Sequence, residues 1–326
     1  MANAVDSTPE LPKAAPLAMP RLPRSPAFDT LRRLSRNRSG MTGIGILVCL
    51  ILVAVFAQQI APFDPIKPLT GVTRRAGPCI HLLGCPADQP EHIFGIDGNN
   101  RDLFSRIIFG TRWSLIVGVG SVSSAILIGT ILGAISGYLG GWTETIIMRT
   151  MDVMLAFPSL LLALAVVTIF PPQIRAALGA LTTLVAIAIV DIPQYARIVR
   201  ASVISVKELD FVSADRALGS SDFRILVRRI LPNALTPLIV RGTLGVATAI
   251  LDAAALSFLG LGAPPPTPEW GLMLGEERNS IFNAPHLVVL PGLGIMLTVL
   301  AFNLLGDGLR DALDPRLSNV GIKVKE

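Results

Sequence analysis

Long uncharged stretches alternate with short basic stretches along this chain. A membrane crossing needs roughly 20 apolar residues, because a helix rises 1.5 Å per residue through a hydrocarbon core about 30 Å thick. Six runs that are uncharged, or nearly so, approach or exceed that length: 39–63, 113–143, 153–174, 176–190, 230–268 and 279–306. The pattern therefore predicts an all-α membrane protein with six transmembrane helices.

The composition agrees with that pattern. Of the 326 residues, 51% are hydrophobic and 16% are charged, whereas a soluble domain carries about 25% charged residues. A soluble protein of this size could not hide so much apolar side chain, so a cytosolic enzyme is disfavoured. The three cysteines are too few for a disulfide scaffold.

The placement of lysine and arginine predicts the orientation. Basic residues concentrate in the first 38 residues, between the fourth and fifth runs, and after the sixth run. With six crossings these three regions share one side, so we expect both termini to be cytoplasmic. The proline-rich segment 1–38 is typical of a disordered cytoplasmic tail, and 318–326 is predicted to be a second tail.

The basic segment 207–233 has helical periodicity although it lies outside the predicted crossings. Phe211, Ala214 and Leu218 recur on one face of a short amphipathic helix. Gly219 then stands where a helix needs a left-handed C-cap, and a second helix is expected through 224–230 until Leu231-Pro232 stops it. The residues alone leave two partners open, a lipid surface or another protein.

This segment resembles the cytoplasmic "EAA" loop of ABC importer permeases. The family pattern is Glu-Ala-Ala, three residues, Gly, and later Ile-x-Leu-Pro; this chain has Ser213-Ala214-Asp215, Gly219 and Ile230-Leu231-Pro232. The chain is similar to the dipeptide/oligopeptide/nickel branch, in its second permease subunit type, over nearly all of 94–317. The matching blocks are FGIDGNNRDLFSRIIFGTRWSL, GYLGGW, MRTMDVMLAFPSLLLAL, YARIVRASV, LSFLGLGAPPPTPEWG and NLLGDGLRDALDPRL.

The resemblance implies a type I ABC importer permease fold in the inner membrane, with the first helix at 39–63, an external loop at 64–110 and a five-helix core at 111–317. It also implies partners: a homologous permease forming a heterodimer, two ATP-binding subunits that use ATP and Mg, an external solute-binding protein and the bilayer, with no nucleic acid. The chain contains no Gly-x-x-x-x-Gly-Lys-Ser/Thr loop, so we expect it to bind no cofactor itself and not to be an enzyme. The residues that would contact the ATPase are Glu208, Asp210, Phe211, Ala214, Asp215, Arg216, Leu218, Gly219, Leu231 and Pro232.

Two charges interrupt the fifth run. Arg241 and Asp252 lie eleven positions apart, about three turns, and therefore share roughly one face. Intramembrane charges are costly and usually face a cavity or a partner helix, so these two residues either line a translocation path or pair with other helices. An alternative function, an ion-coupled secondary transporter, would use both together with Asp191, which ends the fourth run.

Cys79 and Cys85 lie in the external loop, close to His81 and His92. A disulfide, two free thiols and a metal site all remain open for this pair. The disulfide is favoured because the compartment is external, and five intervening residues exceed the cysteine spacing of a structural zinc site. We therefore predict no metal ligand here.

Overall fold

A computed structural model describes residues 31–86 and 88–313. Within them, five helices are long and apolar enough to cross a membrane, and two shorter helices bent by 98° give a sixth crossing when counted together. The predicted helical membrane fold is thus confirmed. In chain order the helices are α1 (Arg38–Val55), α2 (Ala57–Ile60), α3 (Leu103–Leu139), α4 (Gly141–Leu155), α5 (Ser159–Ile169), α6 (Pro172–Leu178), α7 (Ala180–Lys207), α8 (Asp210–Ala217), α9 (Asp222–Ile225), α10 (Leu231–Ala234), α11 (Thr236–Phe258), α12 (Trp270–Glu277) and α13 (His286–Leu313).

The crossings differ from the predicted runs at two places. The third run is broken between α4 and α5, where Pro158 lacks the N–H group that a continuous helix would use. The fourth crossing is the 28-residue helix α7, and Asp191 lies near its middle. The expectation that this charge marks the end of a crossing is therefore wrong, because the helix continues past a carboxylate whose charge neighbours Arg241 inside the bundle.

The ends of the predicted segments also shift. Asn37 caps α1 by accepting a hydrogen bond from Gly40 N at 3.1 Å, so the first crossing begins at Arg38 and ends at Val55, short of residue 63. Residues 31–34 are helical rather than part of a tail; residues 1–30 and the predicted tail 318–326 lie outside the described residues.

Helix α3 is the longest element and packs along α7 through a stripe of glycines. Its 37 residues span about 55 Å. A Cβ added at Gly133 would lie 2.4 Å from the carbonyl oxygen of Ala196, and Gly129 and Gly137 meet α7 at similarly short range. The two backbones therefore touch directly, as small residues spaced four apart permit in membrane bundles.

One end of the bundle carries segment 207–234 and is called here the basic end. The opposite end is built from residues 61–102 and α12. There Asp102 caps α3 by accepting from Ser105 N at 2.8 Å, and its other carboxylate oxygen lies 2.9 Å from His92 Nδ1. Because of this cap α3 starts at Leu103, so the loop is shorter than the predicted 64–110 and the core extends beyond 111–317 at its start.

A buried ion network joins α3 to α12 at the opposite end. Arg106 is fully buried, and its guanidinium lies 3.4 Å from Asp97 Oδ2 and 3.3 Å from Glu276 Oε2. Arg101 binds the same two carboxylates, each at 2.7 Å. Shared partners keep these buried charges paired, and breaking one pair would leave a charge uncompensated.

The loop before α12 is fixed by Glu269 and Trp270. Glu269 caps α12 by accepting from Gly271 N and Leu272 N, each at 3.0 Å, and burial raises the pKa of its carboxyl group. The indole of Trp270 is buried and donates to Ile107 O at 3.1 Å. The proline-rich loop is thus anchored on α3 rather than free.

Cys79 and Cys85 are joined in a disulfide, with their Cα atoms 5.3 Å apart. Cys79 also exchanges two backbone hydrogen bonds with His92, at 2.9 and 2.8 Å. Over the part of the chain that the structure describes, no three His, Cys, Asp or Glu side chains are grouped so that they could hold a metal ion.

Candidate functional site

Segment 207–234 forms two helical limbs joined by a glycine turn. The first limb, α8, ends where Gly219 N donates to Arg216 O at 3.0 Å and Ser220 N donates to Asp215 O at 3.1 Å. These two bonds define a Schellman motif, which needs a left-handed residue at Gly219, whose φ is +78°. The predicted short helix and its glycine stop are therefore both present.

The predicted apolar stripe faces outward. Leu218 is 83% exposed and Phe211 is 40% exposed, and Ala214 between them is exposed as well. The side chain that holds α8 to the body of the protein is Val212, which is fully buried. Val212 was not predicted as a contact, and its only signal in the sequence is that it is an apolar residue lying off the stripe.

Most polar residues of α8 border the exposed stripe. Asp210 and Arg216 on α8 are exposed, as is Glu208 just before it. Asp215 instead points toward the second limb, where its Oδ2 lies 2.7 Å from Arg229 Nε, and only 17% of its side chain is exposed. It is thus a bridge within the segment, although it was predicted to contact the ATPase.

The second limb leads into α11 through a single turn residue, Leu235. It consists of α9, a π-helical segment at Leu226–Ile230 and α10. The prediction that Leu231-Pro232 stops the helix is wrong: Pro232 occupies the first turn of α10, where its missing N–H group costs little. The ring is exposed, Leu231 is half-buried, and Ile225 and Ile230 are fully buried.

Two contacts fasten both limbs to the end of α3. The Tyr138 hydroxyl donates to Asp222 Oδ1 at the start of the second limb. Lys207 Nζ, just before the first limb, donates to Tyr138 O at 2.8 Å and lies 5.3 Å from the centre of the Tyr138 ring. The positive charge of Lys207 also interacts favourably with the C-terminal end of the α3 helix dipole. The segment therefore projects from the bundle as a rigid unit, held by these contacts to the end of α3.

The second candidate site lies inside the bundle. Arg241 on α11 donates to the side-chain oxygen of Gln194 on α7. Asp191, one turn away on α7, is close enough to interact electrostatically with both Arg241 and Asp252. All three charged side chains are partly exposed. Gln194 had not been predicted; its only signal was a polar residue one turn after Asp191 on the same helix.

Comparison with known proteins gives consistent matches. Residues 129–319 match the family model described as "Binding-protein-dependent transport system inner membrane component", and residues 25–78 match the "N-terminal TM domain of oligopeptide transport permease C". The chain is 46% identical to the dipeptide transport system permease protein DppC of Alkalihalophilus pseudofirmus, over 90% of this chain and 91% of that protein. It is 44% identical to the glutathione transport system permease protein GsiD of Escherichia coli, over 93% and 95%.

A solved structure shares the fold. An inward-facing MetNI methionine ABC transporter chain superposes with a TM-score of 0.54 at 16% identity, covering 64% of this chain and 97% of that chain. The type I importer permease architecture is therefore present around the two candidate sites.

Proposed function

Because the chain belongs to the binding-protein-dependent transport system inner membrane components, we propose that segment 207–233 docks on a separate ATPase and couples ATP hydrolysis to transport. The chain is a multi-pass permease subunit of an ABC importer, not an enzyme, and the ATPase is a separate subunit. The residues proposed to make the contact are the predicted set, with Asp215 acting through Arg229 rather than directly.

The observation that carries this proposal is the exposed apolar stripe on α8, a helix held rigidly to the bundle. Leu218 and Phe211 present apolar surface although Val212, between them in sequence, is buried. An amphipathic helix that exposes such a stripe is suited to a hydrophobic groove, and the charged rim would fix its register. Rigid attachment through Tyr138 and Lys207 lets a displacement of α8 reach the crossings.

The partners and orientation follow from the same reasoning. The basic end would face the cytoplasm, with both termini on that side. There two ATP-binding subunits, using ATP and Mg, would meet this chain and a homologous permease in a heterodimer. The opposite end, including the anchored loop before Trp270, would face an external solute-binding protein.

Arg241 and Asp252, together with Asp191 and Gln194, are proposed to line the translocation path. Partly exposed charges in the middle of a crossing would be costly against lipid, so this face of α7 and α11 is better suited to a water-filled path. The relatives named for dipeptide and glutathione transport support a small peptide as the solute. No observation supports the alternative of an ion-coupled secondary transporter.

The test replaces the most exposed residue of the stripe with a charge. Leu218→Asp should release the ATP-binding subunits during purification and abolish solute-stimulated ATP hydrolysis, because a buried unpaired carboxylate is costly. Leu82→Asp is the matched control for retention of the ATP-binding subunits during purification, since Leu82 is 92% exposed at the opposite end. Retention of the ATP-binding subunits by the Leu218→Asp variant would contradict the proposal.

A further inference from the structure

The second limb presents a surface that the docking proposal does not use. Phe223 is 78% exposed and Val227, four residues later, is 41% exposed. Arg224 and Arg228 are exposed at the same spacing. Among the described residues neither arginine has an ion-pair partner, whereas the neighbouring Arg229 is held by Asp215. We call these four residues the Phe–Arg surface.

The position of Asp222 fixes the depth of the Phe–Arg surface relative to the membrane. Asp222 accepts a hydrogen bond from Tyr138, which lies at the end of a membrane crossing. Trp142, four residues after Tyr138 and at the start of α4, is 83% exposed. Exposed tryptophan concentrates at the membrane–water interface, so Trp142, close in sequence to the buried Tyr138, places this end of α3 where the bundle leaves the bilayer. Phe223 follows Asp222 directly and therefore lies at headgroup level.

We propose that the Phe–Arg surface binds anionic phospholipid headgroups of the leaflet at the basic end. The guanidinium groups would pair with headgroup phosphates, and Phe223 and Val227 would insert between the first acyl carbons. The charge composition favours lipid over an ATPase contact. Among the described residues, the acids beside this surface are Asp222 and Asp215, and both are engaged, Asp222 by Tyr138 and Asp215 by Arg229. The stripe on α8, by contrast, is bordered by the exposed acids Glu208 and Asp210.

This contact would hold the start of the second limb to the membrane, while α8 together with Leu231 and Pro232 at the end of the second limb meets a protein. The two limbs meet at Gly219. If the lipid contact keeps the second limb in place, a displacement of α8 would move the crossings instead of only shifting the second limb. Coupling would then depend on the charge of the leaflet. The lipid contact does not require the ATPase docking to be correct, because it concerns different residues.

Photocrosslinking in the assembled transporter tests the partner of each limb. Benzoylphenylalanine is placed at position 223 or, for comparison, at position 218, in nanodiscs of phosphatidylcholine alone or mixed equally with phosphatidylglycerol. We expect position 223 to form phospholipid adducts enriched in phosphatidylglycerol. Adducts of position 223 with a protein subunit, or without phosphatidylglycerol enrichment, would overturn the proposal. If position 218 fails to crosslink to the ATPase, that result contradicts only the docking proposal.

The arginines are tested by neutralisation. An arginine near an anionic leaflet contributes about a fivefold preference, so the enrichment should fall severalfold in the Arg224→Gln/Arg228→Gln double variant. Arg278→Gln is the matched control, because Arg278 is an exposed arginine next to α12 at the opposite end. Equal enrichment in the double variant and in the wild-type protein would overturn the role of the arginines.

Discussion

Replacing Gly133 by alanine should loosen the contact between α3 and α7. The added Cβ would lie 2.4 Å from Ala196 O, 2.8 Å from Val199 Cβ and 3.0 Å from Arg200 N. Two of these three atoms belong to the backbone of α7, so no side-chain rotation can relieve the overlap and the helices must move apart. Overpacking of this kind costs about 1–3 kcal/mol, and we expect the free energy of unfolding to fall by that amount.

The assay is unfolding of the purified permease in mixed micelles, followed by tryptophan fluorescence. Gly292→Ala is the control, because Gly292 also lies within a crossing but has no atom within 4 Å of an added Cβ. Because alanine has a higher helix propensity than glycine, the free energy of unfolding of the Gly292→Ala variant should be unchanged or higher by up to about 1 kcal/mol. The reasoning is refuted if both alanine variants unfold at the same denaturant concentration as the wild-type protein.

Three further predictions concern the turn, the bridge and the loop. Gly219→Ala should weaken solute-stimulated ATP hydrolysis, because a left-handed alanine costs about 1–2 kcal/mol, whereas Gly219→Asn should retain most of it; equal rates would contradict this. A double-mutant cycle with Asp215→Asn and Arg229→Gln, read by thermal unfolding, should give a coupling energy of about 0.2–1 kcal/mol, since Arg229 is 58% exposed; strict additivity would argue against the bridge. Cys79 and Cys85 should resist alkylation until they are reduced, and labelling without a reductant would show that the disulfide is absent.

Patterns that are local in sequence predicted much of this molecule. Uncharged runs located the crossings because charged side chains are costly in lipid. The crossings are helical because every backbone polar group in lipid must be paired within a helix or a closed barrel. Gly219 was recognisable because a left-handed C-cap is a property of one residue and its helix. The spacing Gly129, Gly133, Gly137 was equally readable, yet its use as the contact with α7 became clear only in three dimensions.

Contacts between distant parts of the chain could not be predicted in the same way. Tyr138 and Asp222 are 84 residues apart, and Arg106 and Glu276 are 170 apart, so no spacing rule links them. Asp191 was misplaced for the same reason. A single charge ends an uncharged run, but whether it ends the helix depends on the charges that neighbouring helices supply, here on Arg241.

Amide hydrogen exchange of α8 tests the docking of segment 207–233 most directly. Exchange is measured on residues 210–218 in the permease pair alone and in the transporter assembled with its ATP-binding subunits. The exposed stripe of Phe211, Ala214 and Leu218 predicts marked slowing on assembly, because docking would stabilise this short, outward-facing helix against local opening. Unchanged exchange at 210–218 in the assembled, ATP-hydrolysing transporter would contradict the coupling role of the segment.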